Sequence, residues 1–138
     1  VGRAGFVRAH DGRVDLRRVL VALGDPRESR AATREALRIA ELLAPEGVEI
    51  HLLHVGENEQ SVPVPDHPSI RSITKHACSG DVVEGILSVS AELHMDLVVM
   101  ASRGHDGFLD ALRGSTTERV LRQVTCPLLV GTVSPDAA

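Results

Sequence analysis

Residues Val98 to Glu118 read VVMASRGHDGFLDALRGSTTE, and this stretch decides the fold. It runs from an apolar run, through a loop that Gly104 opens, to a helix that starts after Gly114. Ser115 and Glu118 have the S-x-x-E spacing of a capping box, which predicts a helix start. Backbone N–H groups at a helix start favour an anion. The stretch therefore predicts a strand, a loop and a helix N-terminus suited to phosphate.

Apolar runs bounded by turn residues recur on both sides of this stretch and alternate with helical patterns. This alternation predicts a single α/β domain with a parallel, doubly wound sheet and helices on both faces. In such sheets ligands bind at the carboxyl ends of strands. We therefore expect a site at Leu23-Gly24-Asp25 and at Ala101 to Gly104. The predicted strands are Arg17 to Leu23, Val48 to Val55, Ser69 to His76, Asp96 to Ala101 and Leu128 to Val133.

Two of the three predicted helices open with an aspartate and a glutamate three residues later, the spacing of a capping box. They are Asp25 with Glu28, where Pro26 takes the first helical position, and Asp81 with Glu84. Apolar periodicity predicts the buried face of each helix. The predicted inward residues are Ala32, Ala36, Ile39 and Leu43; Val82, Ile86, Val89 and Leu93; and Val120, Leu121 and Val124.

Length and composition bound the organisation of the 138-residue chain. We expect one domain over 17–133, a loose N-terminal extension over 1–16 and a frayed tail over 134–138. The net charge of −4 and the absence of Trp and Tyr argue against a nucleic-acid partner. No apolar run is long enough to span a membrane, so we expect a cytoplasmic protein, with Cys78 and Cys126 as free thiols.

Motifs for other chemistries are absent or weak. The chain has neither G-x-x-x-x-G-K-[ST] nor G-x-G-x-x-G after the first strand. His51 and His54 are three apart on a strand and so face opposite sides, while His76 and Cys78 have no second pair, so we predict no metal site. No catalytic residue is predicted. His105 and Asp106 fit a flexible polar loop better than they fit the role of a general base.

The spacing A-x2-G-x9-G-S over Ala101, Gly104, Gly114 and Ser115 resembles the motif G-x2-G-x9-G-[ST] of the universal stress protein family. Further segments resemble that family in the same order and cover roughly residues 17–133. They are RRVLVAL, ESRAATREALRIA, HLLHV, SGDVVEGILSVSAE, DLVVMASRG and GSTTERVLRQVTCPLLV.

The resemblance implies an open five-stranded parallel sheet of order 3-2-1-4-5, the adenine nucleotide alpha hydrolase-like fold. It also implies a regulatory module of the stress response that binds ATP with Mg and acts through protein partners. Richness in arginine, alanine and valine points to a bacterial genome. An enzyme with at most weak ATPase activity is a further hypothesis, for which the sequence supplies no base or nucleophile. A homodimer through the last strand, Leu128 to Val133, is implied as well. The nucleotide-binding residues would be Leu23, Gly24, Asp25, Ala101, Arg103, Gly104, Gly114, Ser115 and Thr116.

Departures from the family pattern leave an alternative open. Ala101 replaces the first motif glycine, and Gly24 stands where ATP-binding members have an aspartate, with Asp25 one residue late. Residues 56–68 also lack the expected helix. Asp25 is then a plain N-cap, and Arg103 and Arg113 either neutralise phosphate or are solvated. The alternative is a dimerising interaction module of the same fold that has lost ATP binding.

Overall fold

The structure is a computed structural model that describes residues 6–7, 10–56, 64–102 and 116–133. Within these ranges five strands alternate with three helices. All five predicted strands are confirmed, with ends within two residues of those expected. In chain order the elements are β1 (Arg18–Ala22), α1 (Pro26–Leu43), β2 (Val48–Val55), β3 (Ile70–Cys78), α2 (Val82–Glu92), β4 (Leu97–Ser102), α3 (Thr116–Gln123) and β5 (Leu128–Thr132).

The sheet is parallel throughout and has the order β3-β2-β1-β4-β5. This order confirms the predicted fold. It places β1 between β2 and β4, so the carboxyl ends of these three strands lie side by side. Asp96 connects the amino ends of β4 and β1. Its Oδ2 accepts hydrogen bonds of 2.9 Å from the backbone N–H groups of both Arg17 and Arg18.

The apolar core lies on both faces of the sheet because successive strand residues point in opposite directions. One face carries Val19 and Val21 of β1 under α1, and the other carries Leu20 and Ala22 under α2 and α3. The contact face of α1 consists largely of alanine, which allows the helix to pack close to the strands. Its buried alanines are Ala31, Ala32, Ala36 and Ala40.

Two of the predicted inward residues are wrong. Val82 is 37% exposed and Leu121 is 53% exposed, while Val83 and Val120 beside them are 2% and 0% exposed. Each residue rotates a helix by about 100°, so a shift of one position moves a side chain off the buried face. The observed inward faces follow the i, i+3, i+7 spacing. They consist of Val83, Ile86 and Ser90 in α2, and of Thr117, Val120 and the partly buried Val124 at α3.

The N-terminal residues that the structure describes are partly packed against the domain. Val7 and Val14 form an antiparallel bridge, and the Asp15 N–H donates to the Phe6 carbonyl at 2.7 Å. Leu16 is 5% exposed and belongs to the core, against which Phe6 also packs. Leu16, which the sequence assigned to a loose extension, is therefore part of the apolar core.

Candidate functional site

A cleft of about 440 Å³ opens at the carboxyl ends of β1, β2 and β4. The first turns of α2 and α3 and the first turn of α1 close its sides. Its size lies in the range of small-molecule sites. The described residues that line it are Ala22, Leu23, Gly24, Glu28, His54, Val55, Val82, Ile86, Met100, Ala101, Ser102, Thr116 and Thr117.

The cleft brings together the ends of the first and fourth strands, as the sequence predicted. Leu23, Gly24, Ala101 and Thr116, four of the nine candidate residues, line it. Asp25 does not line it and serves as the N-cap of α1. The other four candidates, Arg103, Gly104, Gly114 and Ser115, lie outside the described residues.

The predicted capping box at the start of α1 is present. Asp25 Oδ1 accepts from the Glu28 N–H at 2.8 Å, and Glu28 Oε1 accepts from the Asp25 N–H at 3.1 Å. Ser29, which is fully buried, adds bonds to both backbone groups of Gly24: its Oγ accepts from the N–H at 3.1 Å and donates to the carbonyl at 3.2 Å. These bonds fix the backbone that follows β1 at the wall of the cleft.

Glu28 sets the charge of this wall. A Cβ built on Gly24 would lie 2.7 Å from Glu28 Oε1, so the carboxylate occupies the space that a side chain at position 24 would enter. Among the described lining residues, Glu28 is the only one with a carboxyl group. Burial raises the pKa of its carboxyl above the usual value. The α1 side of the cleft is consequently the less favourable side for an anion.

At α2 the N-cap prediction is also confirmed, since Asp81 Oδ2 accepts from the Glu84 N–H at 3.0 Å. The same carboxylate lies 3.6 Å from Arg119 Nη2 on α3. This pair connects the first turns of the two helices that flank the cleft. Both side chains are about half exposed, so we expect the pair to contribute little to stability.

Sequence reasoning did not select His54, and it included Ser102 only as part of the range Ala101 to Gly104, although both residues line the cleft. His54 was considered only as a metal ligand, and Ser102 only as a variable position of the motif. The signal that identifies them is their place at the ends of β2 and β4, which becomes informative once the strand order is known.

Two of the described histidines, His51 and His76, are not among the residues that line the cleft. The His51 and His76 rings stack with centroids 5.1 Å apart, and Nδ1 of the first lies 2.8 Å from Nε2 of the second. Burial, then the neighbouring His76, lowers the pKa of His51 below its ordinary value of 6.5. Within the described residues no three metal-ligating side chains come together, and no helix is both long and apolar enough to cross a membrane.

These features define a class of protein, an α/β domain with an open parallel sheet and a ligand-sized cleft at the carboxyl ends of its strands. Comparisons with known proteins agree on the family. The model of the universal stress protein family matches residues 64–131. Universal stress protein A homolog 1 of Coxiella burnetii is 35% identical over 60 residues, which span 44% of this chain and 41% of that protein. Over residues 64–131 the chain matches the universal stress protein family, the family that its sequence resembles.

Solved structures agree with the fold. A universal stress protein in complex with cAMP superposes with a TM-score of 0.62 at 18% identity, covering 86% of this chain and 98% of that one. A universal stress protein family protein from Arabidopsis thaliana with AMP bound has a TM-score of 0.57 at 15% identity, covering 87% and 94%. At this identity the likeness concerns the fold alone.

Proposed function

We propose that this protein is a regulatory module of the stress response that binds an adenine nucleotide in the cleft. The observation that carries the proposal is the cleft itself, which joins the ends of β1 and β4 to the start of α3. Two proteins of this fold are described with cAMP and with AMP. Leu23, Gly24, Ala101 and Thr116 are the candidate contacts among the described residues.

The phosphates belong on the α3 side of this cleft. The helix N-terminus offers N–H groups to an anion, whereas the α1 side presents the Glu28 carboxylate. ATP with Mg is the ligand that the sequence motif favours. Mg²⁺ bound with a nucleotide is held mainly by phosphates, water and one or two carboxylates, so it requires no cluster of protein ligands. We propose Gly114 and Ser115 as phosphate contacts, with Arg103 and Gly104 beside them.

Ligand binding is tested by calorimetry and by thermal unfolding with AMP, cAMP and Mg-ATP. A ligand at 100 times its Kd stabilises a protein by about 2.7 kcal/mol, which raises the Tm by several degrees. The matched control is the double variant Gly114→Val, Ser115→Ala, for which we expect a much smaller shift. No heat and no shift with any of the three nucleotides would refute the proposal.

A second candidate is an interaction module of the same fold without a nucleotide. It is favoured by Gly24, which carries no carboxylate, and by Glu28, which fills the space beside it. Gly24→Asp alone would collide with Glu28, so the informative variant combines Gly24→Asp with Glu28→Ala. If this candidate is right, the wild type binds no ATP and the double variant gains measurable affinity.

A homodimer through the last strand, Leu128 to Val133, is part of the proposal. It is supported by the position of β5 at one edge of the sheet and by the partial exposure of its residues 128–130, since an open apolar edge favours pairing. We expect light scattering to give a dimer at micromolar concentration and Val130→Lys to give a monomer. Ile73→Lys at the other edge is the matched control and should remain dimeric.

A further inference from the structure

Two polar side chains on the floor of the cleft are buried without a hydrogen-bond partner. Ser102 is 6% exposed, and its Oγ has no hydrogen-bond partner among the described residues. His54 is partly buried, and within the same described ranges neither of its ring nitrogens has a partner. Both residues line the cleft. They stand at the ends of β4 and β2, on either side of β1.

Three other buried hydroxyls of the domain are bonded. The side chains of Ser29, Thr33 and Ser90 donate to backbone carbonyls at 2.8 to 3.2 Å. The backbone of Ser102 is bonded too, because its carbonyl accepts from the Val133 N–H at 3.0 Å. Of the fully buried side-chain hydroxyls in the described part of the chain, only that of Ser102 lacks a partner. A buried polar group without a partner destabilises a protein, and a ligand that supplies the partner removes that penalty.

The positions of the two groups match the two ends of a nucleoside phosphate. Ser102 lies at the end of β4, beside Thr116 and Thr117 at the start of α3, where an anion is favoured. His54 lies on β2, where Val55 adds apolar surface to the cleft. One end of the cleft thus suits a phosphate and the other a neutral heterocycle.

We propose that Ser102 and His54 are ligand-binding residues of the cleft and that the ligand is a nucleoside phosphate. The Ser102 hydroxyl donates to a phosphate oxygen, and the His54 ring forms a hydrogen bond with the nucleoside. This inference rests on the proposed function and extends it to two residues that are not among the motif's defining positions, Ala101, Gly104, Gly114 and Ser115. It predicts that the unpaired polar groups at both positions lower the stability of the unliganded protein, and that a bound ligand restores this stability by supplying the hydrogen bonds.

Stability of the unliganded protein gives the first test. Ser102→Ala removes the unmatched hydroxyl, so we expect its Tm to be equal to or higher than that of the wild type. Ser90→Ala is the matched control, because Ser90 is 7% exposed and its hydroxyl is bonded to the Leu87 carbonyl. We expect Ser90→Ala to lower the Tm. A clear loss of Tm for Ser102→Ala would show that the hydroxyl has a structural role and would overturn the proposal.

Affinity for AMP, measured by calorimetry, gives the second test. We expect Ser102→Ala and His54→Leu each to weaken binding by about fivefold to tenfold, the effect of losing one hydrogen bond. Ser90→Ala and the exposed-site variant His94→Asn should bind AMP as the wild type does. Unchanged Kd values for both cleft variants would refute this inference while leaving the proposed function intact. A wild type that binds neither AMP nor Mg-ATP would refute both.

Discussion

Gly24 and Glu28 are coupled, and adding a single methyl group measures the coupling. In Gly24→Ala the new Cβ would lie 2.7 Å from Glu28 Oε1 and 3.3 Å from Glu28 Cβ, so the carboxylate must move. It then loses its bond to the Asp25 N–H, which closes the capping box. The variant therefore weakens the start of α1 at the wall of the proposed nucleotide site.

The magnitude follows from two opposing effects. Loss of the hydrogen bond to a half-exposed carboxylate lowers the free energy of unfolding by about 1 to 1.5 kcal/mol. Gly24 is not among the glycines with positive φ, so alanine fits its backbone, and the smaller entropy of the unfolded chain raises stability by about 0.4 to 1 kcal/mol. We expect Gly24→Ala to destabilise the wild type by about 0.5 kcal/mol. In a Glu28→Ala background, where no carboxylate is displaced, it should stabilise by about the same amount.

Urea unfolding of the four proteins, followed by circular dichroism, gives the coupling energy of this double-mutant cycle. We expect about 1 kcal/mol. The control cycle pairs Gly24→Ala with Glu84→Ala, since Glu84 takes the equivalent position in the first turn of α2, and this cycle should be additive. A Gly24–Glu28 coupling below about 0.3 kcal/mol, the usual limit of additivity, would refute the placement of Glu28.

Two further predictions concern the helix faces and the histidine pair. Val120→Ala should lower the free energy of unfolding by about 2 kcal/mol because the side chain is fully buried. Leu121→Ala should change it by less than about 0.5 kcal/mol, and equal effects in urea unfolding would contradict the observed face. Because the pKa of His51 is lower in the folded protein than its ordinary 6.5, the unfolded chain binds the proton more tightly. Stability should be fully present above pH 6.5 and fall as the pH drops towards the folded-state pKa, with a slope of at most about 1.4 kcal/mol per pH unit. His51→Gln should flatten this slope, and a slope that the variant leaves unchanged would exclude His51 as its source.

The strands and helices were predictable because the apolar runs of this chain end at residues that favour turns or helix starts. Pro26 after Asp25, for example, favours a helix start, and the structure has one there. The strand order was different, since alternation predicts a doubly wound sheet but only the family resemblance gave 3-2-1-4-5. The buried faces of α2 and α3 were harder to predict. Val82 and Val83 are both apolar, so only packing against the sheet distinguishes them.

Site residues that directly follow a strand were predictable from the sequence. Site residues that enter the cleft through contacts between distant segments were not. Leu23 and Ala101 were found because ligands bind at strand ends in such sheets. His54 joins the cleft only because β2 lies beside β1. Glu28 was recognised as half of a capping box, yet no spacing indicates that its carboxylate would fill the empty space beside Gly24. Such contacts are three-dimensional, and a single sequence does not encode them in any local pattern.

An AMP titration followed by backbone amide NMR tests the central claim most directly, because it reports where the ligand binds as well as whether it binds. Our account predicts saturable shifts concentrated at the strand ends and helix start around the cleft, at Leu23, Gly24, Ser102 and Thr116. The amides of β3, at the far edge of the sheet, should remain unchanged. Spectra that do not change at millimolar AMP, or shifts concentrated on β3, would contradict it.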